Sequence, residues 1–215
     1  RRAIAVDADA ATIAHGQQRA DRLLGRRASA IDWRCADVHA IGPPTVPAAD
    51  LLSALNFSIG YLHDRKALLR YLCQARTTLA PGGVLVANLF GGPDALRAGT
   101  VRRRVEAGRE PRQRLAVPPF DYLWETRAFD AVRGRIDCRI HFEWTDNDGH
   151  LQRTEDAFRY DWRLWSPPEL IEALTEAGFR KPELWRHTAR ETRNGLRVFL
   201  GPVRSLRNTP LWTAY

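Results

Sequence analysis

Apolar residues recur along the chain at two different spacings, and the change from one to the other divides it. From Lys66 to Leu79, Leu68, Leu69, Leu72, Ala75 and Leu79 fall at helical intervals, which gives one buried stripe on an amphipathic helix. Pro81 forbids further helix, Gly82 and Gly83 allow a tight reversal, and the apolar run Val84 to Leu89 predicts a strand buried on both faces of a parallel sheet. Upstream the same alternation is already running. Ala3 to Val6 reads as a strand ending at Asp7, Asp9 to Arg26 as a helix with Ile13, Ala20, Leu23 and Leu24 inward, and Ile31 to Val38 as a second strand. After a proline-rich loop, Gly42 to Pro47, a third strand from Asp50 ends in the polar positions Asn56 and Ser58. Strands alternating with helices predict a parallel sheet covered by helices, with ligands at the carboxyl ends of its strands.

Beyond Phe90 the pattern lapses. Gly91 to Pro119 has no sustained periodicity and carries the arginine-heavy run TVRRRVEAGREPRQR, which reads as a surface connection with at most a helical turn or two. From Asp121 to Trp165 the period becomes two: Ile136, Cys138, Ile140, Phe142 and Trp144 alternate with polar residues, and Phe158, Tyr160, Trp162 and Leu164 repeat this after the turn Asn147-Asp148-Gly149. Tyr122 to Phe129 predicts a third antiparallel strand. Ser166-Pro167-Pro168-Glu169 opens a capped helix that buries Leu170, Ile171 and Leu174 and ends at Gly178. Two last strands, around Pro182 to Arg186 and Leu196 to Leu200, are expected to finish the sheet. The implied units are 1–90, 91–165 and 166–215.

Composition refines this picture only slightly. A hydrophobic content of 44% in 215 residues suffices for a real core. The net charge is +8, but Lys66 and Lys181 are the sole lysines and the arginines are scattered, so nucleic acid is not an expected partner. Cys35, Cys73 and Cys138 are widely spaced and odd in number, which suits free thiols and a reducing cytoplasm. No apolar run approaches the ~20 residues needed to span a bilayer. The sequence contains no methionine and opens as a strand already under way, so it is expected to lack its natural beginning. Paired-cysteine metal spacing, a phosphate loop and a nucleophile elbow are all missing from it.

In order and spacing these features resemble the class I S-adenosylmethionine-dependent methyltransferases of the small-molecule type. AVDAD looks like the second strand with its ribose-binding acid, CADV like the third strand with its adenine-side acid, and ALNFS like the fourth-strand motif. LAPGG is similar to the turn before strand five, and LWSPPELIEALTEAGF to the late helix. The resemblance implies an α/β, Rossmann-like sheet, truncated at its amino terminus, with an antiparallel β lid inserted after strand five. The glycine-rich loop that should precede the ribose acid by about 20 residues has no counterpart before Asp7, which puts activity of this chain in doubt.

By the same resemblance S-adenosylmethionine is the cofactor, held by Asp7 and Ala8 at the ribose, Asp37 and Val38 at the adenine, and Asn56, Phe57 and Ser58 beneath the methionine part. ALNFS lacks the Asn/Asp-Pro-Pro-Tyr/Phe pattern of many nucleic-acid amino methyltransferases, which favours a small-molecule acceptor. His63 and His141 are the candidate general bases. Tyr61, Trp124 and Trp165 are the candidate acceptor contacts, while Trp144, Tyr160 and Trp162, on the apolar side of their strands, suit the lid's own core. Asp7 has a second reading as a helix cap, and the arginine run Arg102 to Arg114 one as an anion-holding loop. Two other functions stay open: a nucleotide-binding oxidoreductase in which Asp7 binds the ribose of NAD, and a non-catalytic interaction protein. A homodimer is a further open partner arrangement.

Overall fold

The computed structural model describes residues 2–43, 45–110, 115–192, 195–207, 209 and 211–215. In chain order the elements are β1 (Ala3–Asp7), α1 (Ala10–Leu24), β2 (Ile31–Cys35), β3 (Ala49–Ala54), α2 (Arg65–Thr78), β4 (Leu79–Ala87), β5 (Leu89–Gly91), β6 (Gly99–Val105), β7 (Gly108–Glu110) and β8 (Leu115–Val117). They continue with β9 (Phe120–Asp130), β10 (Arg135–Thr145), β11 (Leu151–Arg163), α3 (Pro167–Glu176), β12 (Trp185–Thr192), β13 (Gly195–Pro202) and β14 (Trp212–Ala214). None of the described helices is long and apolar enough to cross a membrane.

The amino-terminal half alternates strand and helix as the periodicity predicts, but it does not form one sheet. β1 pairs in parallel with β2, and β3 in parallel with β4, as two separate ladders. Helix α1 lies on β2 at Gly16, where a Cβ would meet the Trp33 ring at 2.7 Å, so only glycine permits this approach. In the second ladder Ala49 faces Leu79 and Leu51 faces Val84, so the Pro81-Gly82-Gly83 segment loops out between two paired positions. The strand predicted from Val84 was expected to be buried on both faces. Val84 is instead 54% exposed, because its side chain opens onto a groove; among the described residues β4 pairs only with β3.

The main core forms where α2 and α3 meet the ends of β3 and β5. Leu68 and Leu72 of α2, Leu170 and Ala173 of α3, and Ala54, Ile59, Leu89, Trp165 and Ala214 are buried together. Capping fixes α3 as predicted: the Ser166 and Glu169 side chains reciprocally satisfy the first turn, with Pro167 and Pro168 inside it.

Gly91 to Pro119 departs from its expected irregular course. β6 is the outer strand of a four-stranded antiparallel sheet in the order β11-β10-β9-β6. The arginines concealed it from pattern reading: Val101 and Val105 alternate with Arg102 and Arg104, whose guanidiniums pair with Asp121 across the ladder at 2.8 and 3.4 Å. Pro111 to Arg114, the end of that run, lie outside the described residues, as does Pro44 of the proline-rich loop. The late strands also differ. β12 starts at Trp185 rather than Pro182 and pairs with β13 as a hairpin of its own, and the unpredicted β14 pairs with β5.

Candidate functional site

The carboxyl ends of the parallel strands carry two groups of polar residues. In the first, Asp7 faces Cys35 in register, the Ala36 amide donates to the Asp7 carbonyl at 3.0 Å, and the Cys35 thiol lies 3.7 Å from the Ala8 carbonyl. This brings Asp7 and Ala8 beside Ala36 and Asp37. The helix-cap reading of Asp7 is excluded by its neighbour: Asp9 caps α1, accepting from the Ala11 amide at 2.8 Å and the Thr12 hydroxyl at 3.0 Å. The Ala11 amide, foremost among these donors, holds the Asp9 carboxyl below its usual value. Asp7 uses Oδ1 to accept from the Asp9 amide at 2.9 Å, and its Oδ2 makes no hydrogen bond among the described residues. Asp37 likewise accepts from the His39 amide at 2.8 Å through Oδ1, and Val38 beside it is exposed.

The second group is a sharp turn after β3. Asn56 and Phe57 both have φ of 57°, in the left-handed region that non-glycine residues avoid. The turn is held from across the sheet by the buried Asn88, whose Oδ1 accepts from the Phe57 amide at 2.8 Å. Asn88 went unnoticed in the sequence, although a lone amide inside the apolar run VLVANLF is the signal that would have found it. Ser58 is exposed on this turn. Phe57 packs edge-on against Phe90 at 5.0 Å and Trp162 at 5.6 Å. A Cβ on Gly60 would meet the Trp162 ring at 2.9 Å, so the turn backbone rests directly on the lid sheet. A small cavity of about 20 Å³, room for one water, lies between Phe57, Gly60, Asn88, Phe90 and Trp162. No hydrogen bond or ring contact joins the two groups among the described residues.

The candidate acceptor contacts separate. Tyr61 is half exposed and meets Trp162 edge-on at 6.0 Å; burial raises its hydroxyl's pKa against the opposing effect of the Trp162 indole. Trp124 stacks on Tyr160 and meets Phe90 edge-on at 6.2 Å. Trp165 does not belong with them. Only 4% exposed, it donates its indole N–H to the Leu62 carbonyl at 3.1 Å and carries the Arg163 guanidinium on its face, so it is a core residue and no acceptor wall.

The two histidines are also apart. His63 donates from Nε2 to the Asp161 carbonyl at 2.7 Å, and its Nδ1 makes no hydrogen bond among the described residues. His141 is buried, with Nε2 3.2 Å from Glu125 and Nδ1 accepting from the Asp156 amide at 3.0 Å. It lies on the face of its sheet opposite Trp124 and Tyr160, with both nitrogens engaged, so the structure gives it a structural task rather than access to the aromatic side. Asp146, Asp148 and His150 come close enough to suggest a metal site, but Asp146 already accepts from two backbone amides and Gln152. The larger groove, about 940 Å³ between β4, α3 and the β12–β13 hairpin, is lined by none of the candidate residues.

No family model matches the chain, and no curated protein does. Solved structures do. A methyltransferase dependent on S-adenosylmethionine from Clostridium acetobutylicum superposes with a TM-score of 0.63 at 14% identity, over 100% of this chain and 74% of that one. The amino pentose methyltransferase CalS10 of Micromonospora echinaspora gives 0.61 at 13%, over 99% and 73%. The sugar N-methyltransferase KedS8 of a Streptoalloteichus species gives 0.57 at 18%, over 98% and 69%. The chain therefore has the Rossmann-like α/β fold of these methyltransferases.

Proposed function

We propose that this chain is an S-adenosylmethionine-dependent methyltransferase acting on an oxygen, nitrogen or carbon of a small molecule. The observation that carries the proposal is Asp7: a carboxylate at the end of a parallel strand in this fold, with the following helix capped by Asp9 and one oxygen left over. An ionised carboxylate in that position suits the paired hydroxyls of a ribose. Asp37 and Val38 lie beside it and suit the adenine, and the Asn56-Phe57-Ser58 turn clamped by Asn88 suits the methionine part.

When bound, the cofactor supplies an electrophilic methyl group on sulfur. The task of the protein is alignment and exclusion of water, because holding nucleophile and methyl in attack geometry can supply much of the rate of an in-line displacement. The Asn56-Phe57 turn, tied to Asn88 and packed on Phe90 and Trp162, is the part of this site that would hold that alignment. A base is required only for an acceptor that arrives protonated, and His63 Nδ1 is the candidate.

Calorimetric titration of S-adenosylhomocysteine tests this, on the chain as given and on one extended to the start of its reading frame. Binding that is lost in Asp7→Ala is the expected result. An unchanged affinity in that variant would remove the ribose assignment, and tighter binding of NAD than of S-adenosylhomocysteine would favour the oxidoreductase reading.

A further inference from the structure

The geometry points to a planar, uncharged aromatic molecule as the methyl acceptor, stacked on the ring-bearing face of the β9–β11 sheet beside Tyr61. The inference rests on the methyltransferase reading for the word acceptor, but the binding platform is argued from the sheet alone. Along β11 the rings of Phe158 and Tyr160 are parallel to within 2° with centroids 6.3 Å apart, and Tyr160 stacks on Trp162 at 4.2 Å. Trp124 of β9 joins the row, stacked on Tyr160 at 6.1 Å. The row reaches solvent at both ends: Phe158, which meets Phe142 edge-on at 6.4 Å, is 52% exposed, and Tyr61, beyond Trp162, is equally open. The open ring of Phe158, continued inward by the half-buried Tyr160 and the buried Trp162, offers its face to an added ring, and offset stacking of this kind suits a planar aromatic one.

The charges sharpen the class of ligand. Successive strand residues point to opposite faces, and the sheet's carboxylates sit on the far side, where Arg102 bridges Asp121 and Glu143 at 2.8 and 2.6 Å and Arg153 adds a second contact to Glu143 at 2.7 Å. The ring face has no carboxylate among the described strand residues to receive an ammonium or the hydroxyl array of a sugar. Its polar groups are the phenols of Tyr122 and Tyr160 and, at the margin, Tyr61, with Arg103 lying over the Tyr122 ring at 5.1 Å. Tyr160 feels both other phenols, and burial raises all three, so they stay protonated donors that suit a ring oxygen.

The test compares 2-naphthol with methyl β-D-glucopyranoside on the full chain, each with and without S-adenosylhomocysteine, by saturation-transfer NMR and by quenching of tryptophan fluorescence. Naphthol is expected to bind and the glucoside not. Phe158→Ala, at a half-exposed position that leaves the core intact, is expected to weaken naphthol roughly five-fold without changing the affinity for S-adenosylhomocysteine. Tyr160→Leu, which keeps bulk and removes the ring, should weaken it similarly. Equal or tighter binding of the glucoside, or naphthol affinity unmoved by both variants, overturns the inference. Naphthol binding that responds to Phe158→Ala upholds the platform whether or not S-adenosylhomocysteine binds; S-adenosylhomocysteine binding that is lost in Asp7→Ala, with naphthol affinity unmoved by both ring variants, upholds the methyltransferase reading and overturns the platform.

Discussion

The amide of Phe57 donates to the side-chain oxygen of Asn88 at 2.8 Å, across 31 positions of sequence, and so ties the turn after β3 to the end of β4. Asn56 and Phe57 both hold left-handed backbone angles, which without this acceptor would relax. Asn88→Ala is therefore expected to destabilise the fold by ~1–3 kcal/mol, the cost of leaving a partly buried donor unmet, and to weaken S-adenosylhomocysteine binding as well. Melting curves and calorimetry on the same sample check both. Loss of stability with full affinity would show that the turn does not shape the cofactor site.

Asp7 and Asp9 are two residues apart with opposite assignments, which makes them a matched pair. Asp9→Ala removes the cap of α1 and should cost ~1 kcal/mol while leaving cofactor affinity intact. Asp7→Ala should do the reverse, since its one bond, to the Asp9 amide, is local and exposed. If Asp9→Ala abolishes binding and Asp7→Ala merely lowers the melting temperature, the assignments are exchanged.

Much of this site was legible because local chemistry and tertiary structure agree there. The capped start of α3 is written in Ser166 and Glu169, and the β10–β11 hairpin in the alternation from Ile136 to Trp162. What escaped depended on partners far along the chain. β6 is recognisable only when Asp121 and Glu143 are known to neutralise Arg102, since its own apolar stripe is two valines. In sequence Trp165 groups with the lid's aromatics as a candidate acceptor contact, yet the chain has left the strand there and the ring turns into the core to reach Leu62. His141 stands at a polar position of an alternating strand in either account. Only the bulge between Ile140 and Phe142, which brings the Asp156 amide to its ring, gives it a task.

That bulge yields a prediction of its own. Asp156 holds φ of 50° with its amide satisfied by His141 Nδ1, so His141→Ala leaves a strained, partly buried N–H without an acceptor. The expected effect is ~1–3 kcal/mol of lost stability, seen as a melting temperature several degrees lower, with cofactor affinity unchanged. An unaltered melting temperature would return His141 to the candidate bases.

The three thiols should differ sharply in reactivity. Burial pushes the Cys138 thiol up to about 12, whereas Cys35 and Cys73 are exposed. Since the thiolate is the nucleophile, iodoacetamide near neutral pH should label Cys35 and Cys73 in the folded protein and reach Cys138 only in denaturant. Peptide mass mapping reads this directly. Rapid native labelling of Cys138 would mean that the β9–β11 sheet opens far more readily than its packing implies.

The Glu169 carboxylate gives a pH-dependent test of α3. Burial raises its pKa, but the Ser166 amide at 2.8 Å, the Ser166 hydroxyl at 2.7 Å and Arg163 at 3.3 Å together outweigh that and hold it below the usual value. A carboxyl lowered by folding binds fewer protons in the native chain than in the unfolded one. Its contribution is therefore complete above the unfolded value of about 4.3 and is lost as pH falls through the lower folded value. With the side chain 44% exposed, water screens the Arg163 pair, so most of the effect belongs to the cap. Glu169→Gln should destabilise by ~0.3–1 kcal/mol at neutral pH, the contribution of a negative charge in a helix's first turn, and urea titrations should find this difference shrinking as pH falls through the lowered folded value. A difference that stays constant with pH would mean that the carboxylate charge contributes nothing, and no difference at any pH would mean that a neutral amide caps the helix as well as the acid does.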